Sequence, residues 1–291
     1  MKKPASSWWL RWRWRVQLAS TVALNSYFLT GAKGVCAPAL NCWACPAAIT
    51  SCPLGAMQNA AGLARLDPQA GGAALAYALG AMLALGAVLG RFMCGWLCPF
   101  GWLQDLLARL SRRKLRLPAW TGYLRYAFLV GLVLVVPYFT TVAWFSKVCP
   151  QGALQGGLLQ PLLNPGLRAS IGTLWYLKQV MLLGWLVAFV FLRRPFCRLM
   201  CPLGAIFGLF YRVSLWQIRV DPYRCVNCGW CEQVCPAGLD PSRHAHNSTL
   251  CLSCLECTAC PHEAITTGPI WRLGATQPPP EAGTEPALKN V

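Results

Sequence analysis

RFMCGWLCPFG at residues 91–101 and RPFCRLMCPLG at residues 194–204 are two copies of one signal, and each stands where a long apolar run stops. Arginine, both cysteines, the proline and the glycine match position for position. Cysteine is a common small apolar residue in membrane helices, so packing is the plain alternative. Packing predicts cysteines scattered along a helix, whereas these form matched C-x-x-x-C-P pairs at helix ends. Two such pairs suit one site built across a pseudo-symmetric pair of helices, and Cys94, Cys98, Cys197 and Cys201 are its candidate ligands.

The apolar runs set the class of protein. Of 291 residues, 56% are hydrophobic and only 12% are charged, with a mean hydropathy of +0.42. Four stretches approach the roughly 20 residues that a bilayer crossing requires: Val16–Ala32, Ala73–Met93, Tyr123–Val142 and Ile171–Leu192. Lys178, near one end of the last, is placed to snorkel toward the interface. A net charge of +17 would point to nucleic acid in a soluble chain, but here the basic residues flank the apolar runs. Eighteen Lys and Arg fall in segments 1–15, 91–125 and 193–224, against four in 31–72 and 143–173. The expectation is a multi-pass protein of the bacterial inner membrane with both termini cytoplasmic, its 31–72 and 143–173 loops facing outward. The stretch Leu203–Ile218 is expected to lie in the interface plane.

Beyond residue 218 the chemistry is concentrated. C225-x-x-C228-x-x-C231-x-x-x-C235-P carries the spacing that places three thiolates on one [4Fe–4S] cube and sends the fourth to a second. C251-x-x-C254-x-x-C257-x-x-C260-P repeats it, one residue shorter before the last cysteine. The crosswise arrangement groups Cys225, Cys228 and Cys231 with Cys260, and Cys251, Cys254 and Cys257 with Cys235. Zinc knuckles also use C-x-x-C, but eight cysteines in two such runs, each ending in Cys-Pro, favour iron–sulfur. Cys94, Cys98, Cys197 and Cys201 would make a third cubane site; a redox-active thiol pair or transient metal site is the alternative. The 31–72 loop adds Cys36, Cys42, Cys45 and Cys52, and Cys149 lies in the other outward loop. Disulfides are permitted there. The favoured reading is a further cluster on Cys42, Cys45 and Cys52, with Cys36 or Cys149 as fourth ligand. The segment 219–270 is thus a two-cluster ferredoxin domain, 1–218 the membrane domain, and 271–291 a Pro-rich disordered tail. The fold expected is mainly α: a four-transmembrane-helix bundle with a small α+β ferredoxin domain at its C-terminus.

Absences narrow the function. The three histidines, His244, His246 and His262, lie outside the apolar runs, so bis-His haem between these helices is not expected. There is no C-x-x-C-H, no Walker A loop and no dinucleotide fingerprint.

The paired motifs C94-G-W-L-C98-P-F-G and C197-R-L-M-C201-P-L-G, with the runs at 225–235 and 251–260, resemble the membrane ferredoxins of the NapH/MauN type. They are also similar to the membrane parts of NosR and CcoG (RdxA/FixG). The resemblance covers roughly residues 75–265. It implies four membrane helices, a cytoplasmic two-cluster domain, and electron exchange between the quinone pool and a partner redox enzyme or carrier. The partners implied are other subunits of a membrane redox complex, a quinone or quinol, and a periplasmic redox protein. The 36–52 cysteine loop departs from the NapH pattern. The CcoG likeness carries an alternative: a copper or thiol redox factor for assembly of a respiratory metalloenzyme.

Overall fold

The structure, a computed structural model, describes residues 8–30, 35–111, 115, 117–211, 213–244 and 248–271. The tail beyond Trp271 and His246 lie outside the described residues. In chain order the main helices are α1 (Trp8–Leu24), α2 (Pro53–Leu66), α3 (Pro68–Leu89) and α4 (Pro99–Leu107). Then come α5 (Trp120–Thr140), α6 (150–163), α7 (Thr173–Phe191) and α8 (Pro202–Phe210). Two short sheets complete the fold. β1 (Val35–Cys36) pairs parallel with β2 (Thr50–Ser51), and β3 (Trp216–Val220) pairs antiparallel with β4 (Ile265–Pro269).

Among the described residues α3, α5 and α7 are the helices long and apolar enough to cross a membrane. Tyr77, Leu83, Val130, Leu177, Val180 and Leu183 stand exposed along them. An apolar surface of that extent is stable against lipid rather than water. The π-helical turns in α5 and α6, at Leu129–Val135 and Ala153–Leu159, each end just before a proline, Pro137 and Pro161. Proline has no N–H for the regular ladder, and widening the turn accommodates the loss.

The fourth expected span, Val16–Ala32, takes another form. α1 begins at Trp8 and ends at Leu24. There Asn25 donates to the Thr21 carbonyl and Ser26 to the Ala23 carbonyl, so side chains occupy acceptors that another helical turn needs. The buried face of α1 is polar: Arg13 Nε and Gln17 Nε2 both donate to the Gly95 carbonyl, at 3.2 and 2.9 Å. α1 is therefore docked by hydrogen bonds on the turn that carries Cys94.

The two expected outward loops differ as well. Each folds back as a 14-residue helix, α2 or α6, that packs against the long helix following it. Asp67 turns α2 into α3 and caps α3 through the Gln69 and Ala70 amides. Trp175 of α7 donates to the Gly157 carbonyl of α6 at 2.6 Å. The expected interfacial stretch is corrected too. α8 is buried from Pro202 to Gly208, and β3 follows it into the ferredoxin segment. Gly208 permits that burial, since a Cβ there would lie 2.6 Å from the Thr249 carbonyl.

The close approach of α2 to α3 rests on Gly71, where a Cβ would collide with the Ala64 backbone, whereas Gly72 faces open space. Gly71→Ala should therefore cost about 1–3 kcal/mol by overpacking. In detergent its thermal midpoint should fall below wild type while that of Gly72→Ala does not; equal midpoints for the two variants would contradict the packing.

Candidate iron–sulfur centres

Four cysteines share one local geometry. Cys52, Cys98, Cys149 and Cys201 each precede a helix that starts with proline, with φ/ψ of −73/125°, −73/117°, −73/122° and −68/109°. Proline at the first helical position costs nothing, because that N–H has no helical acceptor. The cysteine sulfur then sits over free amides of the first turn. Gly204 N lies 3.4 Å from Cys201 Sγ.

The two matched signals meet. Cys94, Cys98, Cys197 and Cys201 are all buried and stand close enough for their charges to interact. The arginines exchange between the copies. Arg194 Nη1 donates to the Cys94 carbonyl at 2.9 Å, and Arg91 Nη2 to the Cys197 carbonyl at 3.5 Å. Each guanidinium occupies the space left by the other copy's glycine: a Cβ on Gly204 would lie 2.8 Å from Arg91 Nη2, and one on Gly101 would lie 3.4 Å from Arg194 Nη2. That exchange explains why arginine and glycine recur with the cysteines.

The ferredoxin segment forms two cavities. One is lined by Cys225, Cys228, Cys231 and Cys260, with Ser242 and His262 beside them. The other is lined by Cys235, Cys251, Cys254 and Cys257. These are the crosswise groups that the spacing predicts. Among the described residues no three Cys, His, Asp or Glu converge to hold a single ion. Tetrahedral zinc, with Zn–S near ~2.3 Å, would draw sulfurs within about 4 Å of one another. Thiols placed around a cavity suit a cubane, in which each binds a different iron.

The second cavity adjoins the membrane site. Trp96 Nε1 donates to the Ser253 carbonyl at 3.1 Å, and a Cβ on Gly95 would lie 2.5 Å from the Leu252 carbonyl. Arg194 interacts with both Cys197 and Cys254, and Arg91 with both Cys94 and Cys251. Cys257 likewise interacts with Cys231 of the first cavity.

The remaining cysteines gather elsewhere. Cys42, Cys52 and Cys149 line a cavity of about 490 Å³, and Cys45 interacts with Cys42. The Leu40 amide reaches the sulfur of Cys98, so this loop abuts the 94–201 site. Cys36 stands opposite Ser51 in the β1–β2 pair; its side chain lies outside the described residues. Among the described residues no two cysteines are joined in a disulfide.

Electrostatics supply a test of fit. Arg91, Arg125 and Arg194 are fully buried. Arg194 is held by Asp105 through Nε at 2.7 Å and Nη2 at 2.6 Å. Arg13 reaches the same carboxylate and also Glu256, at 2.5 Å. Arg91 and Arg125 have no carboxylate partner among the described residues, and both donate to the Thr249 carbonyl. Isolated buried cations are very costly, so the pair calls for nearby negative charge, which thiolate-ligated clusters carry. Burial pushes the Cys235 thiol up to about 11 and raises the Cys254 and Cys257 thiols as well. Such thiols ionise only against a cationic partner such as iron. Asp105 and Gln104, which donates to Cys197 Sγ at 3.2 Å, carried no sequence signal: the second copy has Gly208 and Phe207 at their positions.

The 4Fe-4S binding domain pattern matches the chain three times, over residues 71–118, 121–167 and 174–220, and a second 4Fe-4S binding domain matches 218–239. An uncharacterized protein of Methanocaldococcus jannaschii is 30% identical over 196 residues, covering 64% of this chain and 75% of its own. The methylamine utilization ferredoxin-type protein MauN of Methylorubrum extorquens is 35% identical over 181 residues, 56% of this chain and 54% of its own. The ferredoxin-type protein NapH of Haemophilus influenzae is 31% identical over 191 residues, 60% of each. The chain thus spans only about half to three-fifths of MauN and NapH. No solved structure matches it. Fold, cysteine pattern and relatives define a membrane iron–sulfur protein of electron transfer. The chain belongs to the NapH/MauN-type 4Fe-4S ferredoxin family.

Burial acts to raise the Asp105 pKa, but the guanidiniums of Arg194 and Arg13 outweigh it and hold the carboxyl below its ordinary value. Its contribution is therefore complete at neutral pH and lost only as pH falls below about 4, through the depressed pKa. Asp105→Asn, which strands the buried Arg194 and leaves Arg13 only Glu256, should cost about 3–5 kcal/mol. Chemical denaturation at pH 7 checks this; a loss under about 1 kcal/mol would remove Asp105 from the centre of the charge network.

Proposed function

We propose that the chain is the membrane subunit that relays electrons between the quinone pool and a partner redox enzyme or carrier. The ligand sets proposed are Cys225, Cys228, Cys231 and Cys260; Cys235, Cys251, Cys254 and Cys257; and Cys94, Cys98, Cys197 and Cys201. Clusters bound there supply one-electron chemistry at thiolate-held iron. The observation that carries the reading is the contiguity of the sets: Cys231 beside Cys257, and Arg91 and Arg194 between the second set and the third. At one end Cys228 is exposed, flanked by exposed Tyr223 and Val226, a surface on which a partner can dock. The excess of Lys and Arg supports a cytoplasmic placement for this end, at the inner membrane. Residues 1–218 then form the membrane part and 219–270 the ferredoxin part.

For the quinone, the support is the cavity of about 490 Å³. Phe145 forms a buried apolar wall, and Gln151 Oε1, buried and without a hydrogen-bond donor, can accept the O–H of a quinol. Trp144 lies at the surface with Lys147 over its ring, as an interfacial anchor does.

Purified protein reduced with dithionite should be reoxidised by a short-chain quinone. Gln151→Leu should slow that step about tenfold, the equivalent of one hydrogen bond, while reoxidation by ferricyanide stays unchanged. Equal quinone rates in the two proteins would contradict the site. Stoichiometric copper binding, abolished by Cys94→Ser with no loss of iron, would favour the assembly-factor reading instead.

A further inference from the structure

We infer that Cys42, Cys45, Cys52 and Cys149 form a fourth [4Fe–4S] ligand set, placed at the depth of the spanning helices rather than at the outer surface. The inference rests on the electron-transfer reading above.

Four observations carry it. The first is depth. α2 runs antiparallel to α3, with Ala64 against Gly71. The twelve residues back from Ala64 to Cys52 then place Cys52 about 18 Å down a helix about 33 Å long. The matching helix α6 carries Cys149 inward in the same way, and Ser146 meets Gln58 midway along α2, at 3.1 Å.

The second is duplication. Cys52 and Cys149 repeat the backbone geometry of Cys98 and Cys201 to within 16° in ψ. The chain thus holds four Cys-Pro-x-Gly units, each opening a helix. The even units, at Cys98 and Cys201, build one site; the odd units, at Cys52 and Cys149, build the other. The even pair takes its two further thiols four residues earlier, from Cys94 and Cys197. At those places the odd units have Ala48 and Phe145. Cys42 and Cys45 supply the missing thiols from the loop before Cys52.

The third is convergence. Cys42 interacts with Cys45, Cys52 and Cys149, and Cys52 with Cys149. Gly152 and Gly156 border the same thiol: added Cβ atoms would lie 4.0 and 3.7 Å from Cys42 Sγ, in ordinary contact. Gln155 accepts from the Cys42 amide at 2.7 Å and donates to Asn25 and Asn41, fixing the loop.

The fourth is charge. Lys178 of α7 interacts electrostatically with Cys42 and Cys149. A lysine in a spanning helix calls for an anionic partner, and a thiolate-ligated cluster is one. With Leu40 reaching Cys98, the fourth set stands next in line after the third. The relay then extends from the exposed Cys228 end into the membrane, to the cavity where a quinone ring can approach.

Iron and acid-labile sulfide per chain test this in the full-length protein. Wild type should hold about 16 iron, and Cys149→Ser about 12, while Cys36→Ser keeps about 16. If Cys149→Ser does not fold, Cys45→Ser should show the same loss of about four. Wild-type protein with about 12 iron, falling to about eight in Cys94→Ser, would overturn the fourth set and leave the proposed function standing. Loss of about four iron in Cys36→Ser but none in Cys149→Ser would overturn the assignment of Cys149. About eight iron in wild type would remove the third set and the proposed relay with it.

Discussion

The structure depends on an exchange of arginines between two halves of a repeat. Arg91 crosses to the turn that carries Cys197, and Arg194 to the turn that carries Cys94, each into space kept by the other half's glycine. This interlock brings four thiols to one place, where α8 packs on α3 and α7 on α4. It also aims the guanidiniums past the membrane site toward Cys251 and Cys254, so the ferredoxin segment is seated by the same charges. Arg13 extends the lock, joining α1, Asp105 of α4 and Glu256 through one guanidinium.

The arrangement is held in the dry interior by opposed charge. Buried cations without carboxylates are unfavourable alone, and so are buried thiolates. Placed together around iron they satisfy each other. Arg194, with Asp105, is a neutral pair and so it can hold the fold; Arg91 and Arg125 have no carboxylate among the described residues, which suits the anionic clusters proposed beside them. The aromatic walls, with Phe100 and Phe196 packed edge to face at 5.1 Å beside Phe189, keep water from screening these interactions.

Much of this was legible in the residues. Period and length located α3, α5 and α7, because a hydrocarbon slab imposes a length that sequence shows directly. Cysteine spacing named the groups that the structure brings around each ferredoxin cavity, because C-x-x-C-x-x-C is a local geometry. The Arg-to-Gly spacing of the repeat was visible, although its meaning, an exchange between copies, needed three dimensions. What was not legible was the course of the chain between the long helices. Segments 31–72 and 143–173 read as loops, since each helix they contain is too short to stand out in hydropathy and is held by packing on the long helix that follows. α1 read as a span because its register of Arg13 and Gln17, which reveals a hydrogen-bonded face, is only informative once Gly95 is known to be its partner.

The central claim is a file of iron–sulfur centres reaching from the surface of the ferredoxin segment into the membrane. Anomalous scattering at the iron edge, from crystals of the intact anaerobic protein, reads it most directly. The account predicts four iron maxima in one line, in the order of the sites of Cys225, Cys251, Cys94 and Cys52. Maxima confined to the ferredoxin segment, or a gap where Cys94, Cys98, Cys197 and Cys201 meet, would contradict it.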